Sequence, residues 1–240
     1  MNNIYQHLPW DSNIFDFTVA KIIPERLTFD ELKTALTDLK SQNVKLVYWA
    51  SDSQNQASQQ AAKQCQGFLA DHKVTYLMSL ANVDRNAFPH PDVQEYAAKE
   101  PTAELEFLAL QSGLYSRFKA DPKIPDEIFE KIYKLWITNS TNHSVADNVL
   151  IVNKNHKMAG MITLGDKNKR GDIGLLAVHP DFRGQQIGSI LIKAAQAWFA
   201  QKGYLQSQVV TQHTNEPACK LYEKCSYQIE KVENFYHFWI

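Results

Sequence analysis

The 240-residue chain carries 25 Lys and Arg against 26 Asp and Glu, a formal net charge of -1, with 44% hydrophobic and 21% charged residues. Such a composition can bury a core and argues against a disordered chain or a polyanion-binding surface, so nucleic acid is not an expected partner. The opening MNNIYQHLPW has no basic stretch followed by an apolar run, and no segment is long enough to cross a bilayer, so no membrane insertion is expected. Cys65, Cys219 and Cys225 lack CxxC spacing and suit neither a disulfide framework nor zinc. The expectation is a cytoplasmic, metal-free protein.

In chain order, residues 15–23 (FDFTVAKII) read as a strand and 28–41 as a helix. A β-rich run at 44–49 follows, then a helical pattern through Ala61, Ala62 and Cys65 ending at Gly67, then a strand at 73–80. The polar stretch 81–103, with Pro89, Pro91 and Pro101, is the expected boundary between a 1–100 unit and a 104–240 unit. In the second unit a segment opens at 104–110 and a helix runs over 126–139. Strands are predicted at 149–153, 157–164 and 171–178, a helix at 186–201, a strand at 205–212, a helix at 216–225 and an aromatic-rich end at 227–240. The class is α/β with a mixed sheet. AAKQCQGF (61–68) echoes ACKLYEKCSY (218–227), and each follows a β-rich run, so an internal duplication is one reading and two similar helix ends the other.

The most informative stretch is GLLAVHPDFRGQQIGSIL, residues 174–191. A buried strand, a Pro-containing turn and a glycine-bearing loop run into an amphipathic helix. Unpaired N–H groups at the start of such a helix, with the positive end of its dipole, attract phosphate. Gly184 and Gly188 remove Cβ atoms from this approach, and Arg183 adds a charged donor. By itself the stretch is equally an ordinary strand-loop-helix joint, since it is neither a Walker A loop nor GxGxxG.

The order strand, V-x-P, R-G-x-x-x-G, helix, strand, N-x-x-A-x-x-L-Y, aromatic resembles the GNAT acetyltransferase superfamily over residues 104–240. Arg183, Gly184, Gln186, Ile187 and Gly188 match its Q/R-x-x-G-x-G/A motif, except that Gln186 replaces the usual middle glycine. Asn215, Ala218, Leu221 and Tyr222 match the second motif, with Ser226 where a glycine is usual. LPWDSNIF (8–15), SGLYSRFKAD (112–121), ADNVLIV (146–152) and FYHFWI (235–240) further resemble the dTDP-fucosamine acetyltransferase (WecD-type) group, whose members place a degenerate, smaller GNAT-like domain before the acetyltransferase domain.

The resemblance implies an N-acetyltransferase that moves an acetyl group from acetyl-CoA directly to the amine of a dTDP-amino sugar, through a tetrahedral intermediate. It also leaves a homodimer open. It implies a cofactor site at Leu176, Ala177, Val178, Arg183, Gly184, Gln186, Ile187, Gly188, Ser189 and Asn215. Tyr222 would be the general acid; otherwise it is a core aromatic beside Leu221 and Ala218. Asp172 is read as a base acting through water or as a turn aspartate in KNKRGDIG. His179, before Pro180, reads as a turn residue. Arg117 and His213 are candidate acceptor-binding residues, with Arg117 reaching a nucleotide-sugar phosphate or forming a surface ion pair. Trp10 and Asp11 shape the acceptor end or join the two halves. Another amine or a peptide N-terminus as acceptor, and a catalytically silent acyl-CoA-binding module, are the competing readings.

Overall fold

A computed structural model describes residues 4–84 and 90–240; Pro89 of the expected boundary lies outside them. The first half forms β1 (Tyr5–His7), α1 (Pro9–Phe15), β2 (Val19–Ile22), α2 (Phe29–Ser41), β3 (Leu46–Asp52), α3 (Gln56–Gln64) and β4 (Phe68–Ser79). A short β5 (Val93–Glu95) and the helices α4 (Ala103–Ser112), α5 (Arg117–Ala120) and α6 (Asp126–Thr141) follow. Then come β6 (Asn148–Lys154), β7 (Lys157–Lys167), β8 (Arg170–Val178), α7 (Ile187–Gln201), β9 (Gln206–Gln212), α8 (Glu216–Lys224) and β10 (Gln228–Trp239).

The segment 15–23 is therefore not one strand. Pro9 starts a helix, and Asp16 ends it in the left-handed region at φ 60°, so only Val19–Ile22 stays extended. Residues 104–110 are helical because Thr102 caps them, accepting from the Leu105 N–H at 3.3 Å.

The ten strands of the described residues join one sheet in the order β1-β2-β3-β10-β4-β9-β8-β7-β6-β5. Its first eight strands are symmetric about the β10–β4 pair, and β6 and β5 extend one end. β1, β2, β3 and β4 of the first half correspond to β7, β8, β9 and β10 of the second. In each half the first two strands are antiparallel and the second and third parallel. The final strands then cross over: β10 pairs with β3, and β4 with β9. The halves thus share strands along a continuous ladder.

Alternation along the strands sorts the core by face. On one side α2 and α3 bury Leu32, Leu36, Leu39 and Ala62 against Val47, Trp49 and Phe238. On the same side α7 and α8 bury Leu191, Phe199 and Tyr222 against Ile162, Ile173 and Val209. The opposite side carries α1 and α4–α6, with Leu105, Leu108, Phe129 and Ile132 against Leu46, Met161 and Leu175.

The echo noted in the sequence has a geometric counterpart. Asn55 caps α3 and Asn215 caps α8, each side chain accepting from the N–H three residues on. Cys65 and Cys225 close the two helices, and Gln66 and Ser226 follow at φ 58° and 70°. Ser226 thus adopts the backbone for which a glycine would be the low-cost choice.

Candidate active site

The site begins where β8 and β9 part. Their parallel pairing covers Gly171–Ile173 against Ser207–Val209 and then stops. A bulge in β8 sits at that point: Ile162 faces Leu176 while Leu164 faces Ile173, so Gly174 and Leu175 together oppose Thr163. Thr163 Oγ1 accepts the Leu175 N–H at 2.8 Å and holds the bulge. The extra residue reverses the alternation, which is why Ile173 packs under α7 while Leu175 packs under α4 and α6. Beyond it the β8 edge facing β9 has no strand partner, and a cleft of about 1220 Å³ opens there.

One end of the cleft is the loop into α7. Gly184 stands at φ 78°, where an added Cβ would meet nothing within 4 Å; its requirement is conformational. Gln186 holds φ 63°, so it performs the left-handed turn that glycine usually makes at a cost of about 1–2 kcal/mol. The substitution keeps the loop path. No side chain caps α7, and its first-turn N–H groups face the cleft with Arg183, Ile187 and Ser189 in the lining. The corresponding helix of the first half differs. Thr28 and Glu31 form a capping box at the N-terminus of α2, so those donors are already satisfied. Of these two corresponding helices, α7 keeps the open terminus, fit for an anionic group.

Gly188 lines the cleft and also packs against α8. A Cβ on it would lie 2.8 Å from Leu221 Cδ2 and 3.7 Å from Val178 Cγ2, so its bare Cα lets α8 approach α7.

Tyr222 combines its two readings. It is 4% exposed, with ring centroids 5.7 Å from Tyr76 and 6.1 Å from Tyr227, and it also lines the cleft. Burial pushes its hydroxyl above the ordinary tyrosine range, and neighbouring Tyr227 and Cys219 add to the shift, so it stays protonated near neutrality. Asn215, besides capping α8 through Ala218 at 3.3 Å, lines the same wall, as do Leu176, Ala177 and Val178 from β8.

Asp172 is not a turn residue. The hairpin turn falls at Asn168 and Lys169, with φ 56° and 62°, and Asp172 lies within β8. Its carboxylate accepts from Gln208 Nε2 at 2.7 Å and borders the cleft on the α4–α6 side. His179 caps the turn at Pro180–Phe182, accepting from the Asp181 N–H at 3.2 Å.

Two expected acceptor residues lie elsewhere. His213 follows the end of β9, spends its N–H on His72 O at 2.8 Å and is exposed outside the cleft lining. Trp10 stacks on Trp136 with centroids 6.0 Å apart and planes at 6°, joining α1 to α6 rather than entering the cleft. Arg117 does line it. Its guanidinium carbon sits 4.0 Å from the Phe118 ring centroid and 4.7 Å from those of Tyr48 and Phe235, and it forms no ion pair among the described residues.

Around Arg117 the first half supplies Asp11, which the sequence singled out, and Lys21, Tyr48, Asp71 and Lys73, which the motifs did not point to; all line the cleft. Burial raises the Asp11 carboxyl, opposed by Arg117. Burial likewise pushes Asp71 up to about 7, against a hydrogen bond from Gln212 and the charges of Arg117 and Lys73. The signal available in sequence was the alternation in ADHKVTY (70–76), which sets Asp71, Lys73 and Thr75 on one face of β4.

A parallel strand pair thus parts beside a bulge and leads into the uncapped start of a helix. Residues 93–227 match the model of the acetyltransferase (GNAT) family. The chain belongs to that family and is an N-acetyltransferase, a class that uses acetyl-CoA as donor. It is 26% identical over 151 residues to the spore coat polysaccharide biosynthesis protein SpsD of Bacillus subtilis, covering 62% of this chain and 52% of that one. It is 29% identical over 115 residues to an acetyltransferase of Pectobacterium atrosepticum, covering 42% and 81%. Among solved structures, a functionally unknown conserved protein from Staphylococcus epidermidis aligns over 93% of this chain and 84% of its own, with TM-score 0.63 at 13% identity. A GCN5-related N-acetyltransferase from Sphaerobacter thermophilus aligns over 97% and 75%, with TM-score 0.62 at 10% identity. Among the described residues no helix is long and apolar enough to cross a membrane.

Proposed function

We propose that the protein transfers an acetyl group from acetyl-CoA to the amine of a nucleotide-linked amino sugar, a dTDP-4-amino-4,6-dideoxyhexose being the acceptor class. The observation carrying the donor half is the parting of β8 and β9 beside the bulge, leading to the uncapped start of α7. Pantetheine fits between strand edges that no longer pair, and a pyrophosphate fits the N–H groups of residues 184–189, with Arg183 beside them. When bound, acetyl-CoA supplies an activated thioester carbonyl.

The chain's own groups then have three tasks. Main-chain N–H groups beyond the bulge stabilise charge developing on the carbonyl oxygen. Tyr222, protonated and in the cleft wall, gives its proton to the departing sulfur. Asp172, fixed by Gln208, takes the amine's proton through water; an amino sugar's amine is less basic than that of lysine and asks little of this base.

The acceptor half of the reading rests on two supports. The relative named for spore coat polysaccharide biosynthesis suggests a sugar context, and the cleft continues across the sheet to Arg117, long enough to seat more than a bare amine. The test is release of free thiol from acetyl-CoA with a panel of dTDP-amino sugars, polyamines and peptide N-termini. Turnover with a dTDP-amino sugar at least tenfold above every other acceptor is expected. Equal or better turnover of a polyamine or peptide would overturn the acceptor assignment and leave the donor assignment standing.

A further inference from the structure

Three side-chain atoms at the α5 end of the cleft are buried without a hydrogen-bond partner: Tyr48 Oη, Ser116 Oγ and Arg117 Nε. Tyr48 is 2% exposed and Ser116 6%, and all three residues line the cleft. A buried polar group left unpaired is destabilising, so three in one place mark a position that a ligand completes. Ser116 precedes α5 without a side-chain cap; its hydroxyl lies beside that of Tyr133 but makes no hydrogen bond of normal geometry. Arg117 is held by three aromatic rings, forms no ion pair among the described residues, and acts on Asp11 and Asp71 only through its field.

The floor beneath is rigid. Asp121 accepts from His237 Nδ1 at 2.7 Å and Trp239 Nε1 at 2.9 Å. Burial pushes the Asp121 carboxyl up, but these bonds and the Lys123 N–H hold it below its usual range. Burial also depresses His237, so the pair is a carboxylate and a neutral imidazole. The His237 ring lies 4.8 Å from that of Tyr48 and fixes it in place.

We propose that Tyr48, Ser116 and Arg117 form a subsite for an oxyanion carried by the acceptor, assembled from β3 of the first half and the start of α5. The donors are of the kind that bind phosphate or carboxylate oxygens, and Arg117 presents its planar fork from a fixed position. The inference deepens the acceptor reading above by assigning the acceptor's anion to these three side chains. Asp71 and Asp11 border the same space and oppose an anion when ionised. Asp71 faces Arg117 from α5, Gln212 from β9, Lys73 on its own strand and Tyr133 from α6. Its proton, taken up as pH falls through about 7, removes one opposing charge. An anion bound here favours the protonated acid, so affinity rises as pH drops and levels off once Asp71 is already protonated in the free protein.

The experiment is calorimetry on the full chain with dTDP-glucose, whose diphosphate diester keeps constant charge across the range, and with glutarate as a carboxylate. Arg117→Gln should weaken dTDP-glucose by about 10–100-fold and Tyr48→Phe by about 3–10-fold, with acetyl-CoA affinity unchanged in both. Wild-type affinity for dTDP-glucose should rise up to about tenfold between pH 8.5 and 5.5, and Asp71→Asn should flatten that slope. Ser116→Ala and Tyr48→Phe preserve shape and carry the test if Arg117→Gln does not fold. Glutarate binding that depends on Arg117, without dTDP-glucose binding, would keep the subsite and overturn the nucleotide-sugar reading. Turnover of a dTDP-amino sugar that is indifferent to Arg117→Gln and Tyr48→Phe would keep that reading and overturn the subsite. Absence of binding by either anion also overturns it.

Discussion

Replacing Tyr222 by Phe removes one oxygen from the cleft wall and little else. The ring contacts to Tyr76 and Tyr227 persist, so the melting temperature should stay within about 2 °C of wild type. The kinetic effect should be large, because Tyr222 is 4% exposed and the wall around it is apolar. Water therefore substitutes poorly as proton donor to the sulfur. General-acid catalysis contributes roughly 10²–10⁴-fold, and the burial places the expected loss of kcat in the upper part, about 10³–10⁴-fold or ~4–5 kcal/mol of barrier. The hydroxyl's upward shift works the other way: it keeps the phenol protonated near neutrality but makes it a weaker acid than a thiol of pKa roughly 8.5, so the transfer is driven by the instability of an unsolvated thiolate against an apolar wall. The assay is steady-state thiol release on the best acceptor, with acetyl-CoA affinity from calorimetry and a thermal melt as controls. A folded Tyr222→Phe enzyme with kcat within threefold of wild type would refute the assignment and send the proton to another donor.

Gly188→Val should lower the melting temperature by overpacking against Leu221, at about 1–3 kcal/mol, whereas Gly188→Ala should lie near wild type because Leu221 can turn its δ-carbon aside and helix propensity improves. Equal melts for Gly188→Val and wild type would show that α8 does not press on α7 there. A fragment spanning 104–240 should fail to form a soluble monomer by size-exclusion chromatography with light scattering, since it leaves β9 and β10 without β4 between them; a monomeric fragment that acetylates the acceptor at the wild-type rate would contradict this.

What could be read in the sequence followed from local rules. The α7 stripe at Ile187, Leu191 and Ala194 and the Asn215 cap are set by residues within a few positions of each other, so periodicity and capping chemistry suffice. The consequence of the bulge in β8 was not readable in this way. Nothing in GLLAV says that Thr163, on the neighbouring strand, will take the Leu175 N–H and reverse the alternation. The turn reading of Asp172 arose because Asn168, Gly171 and Gly174 surround it in KNKRGDIG; the hairpin uses Asn168 and Lys169, and Gly171 is bare because Phe199 packs over it at 2.3 Å from where a Cβ would stand. His213 and Trp10 were chosen by residue type near a motif. Residue type does not give the direction of a side chain once a strand has ended or a helix has turned.

The strand order explains why the acceptor end escaped a motif-based reading. Alternating patterns in β4 and β10 specify which side chains share a face but not which strands lie on either side. Both strands are 12 residues long and both follow a Cys-closed helix, so each could sit beside the third strand of its own half. The register instead sets Phe235 beside Asp71 on one side and Ala50 on the other. The crossing brings Tyr48, Asp71 and Lys73 of the first half onto the face that Arg117 and Asp172 occupy. Had β10 stayed beside β9, β3 and its Tyr48 would have no strand linking them to that surface. The first half therefore contributes by its place in the ladder, although its own helix terminus is closed by Thr28 and Glu31. The closed helix terminus of that half and its cleft-lining side chains are compatible because they lie on opposite faces of the same strands.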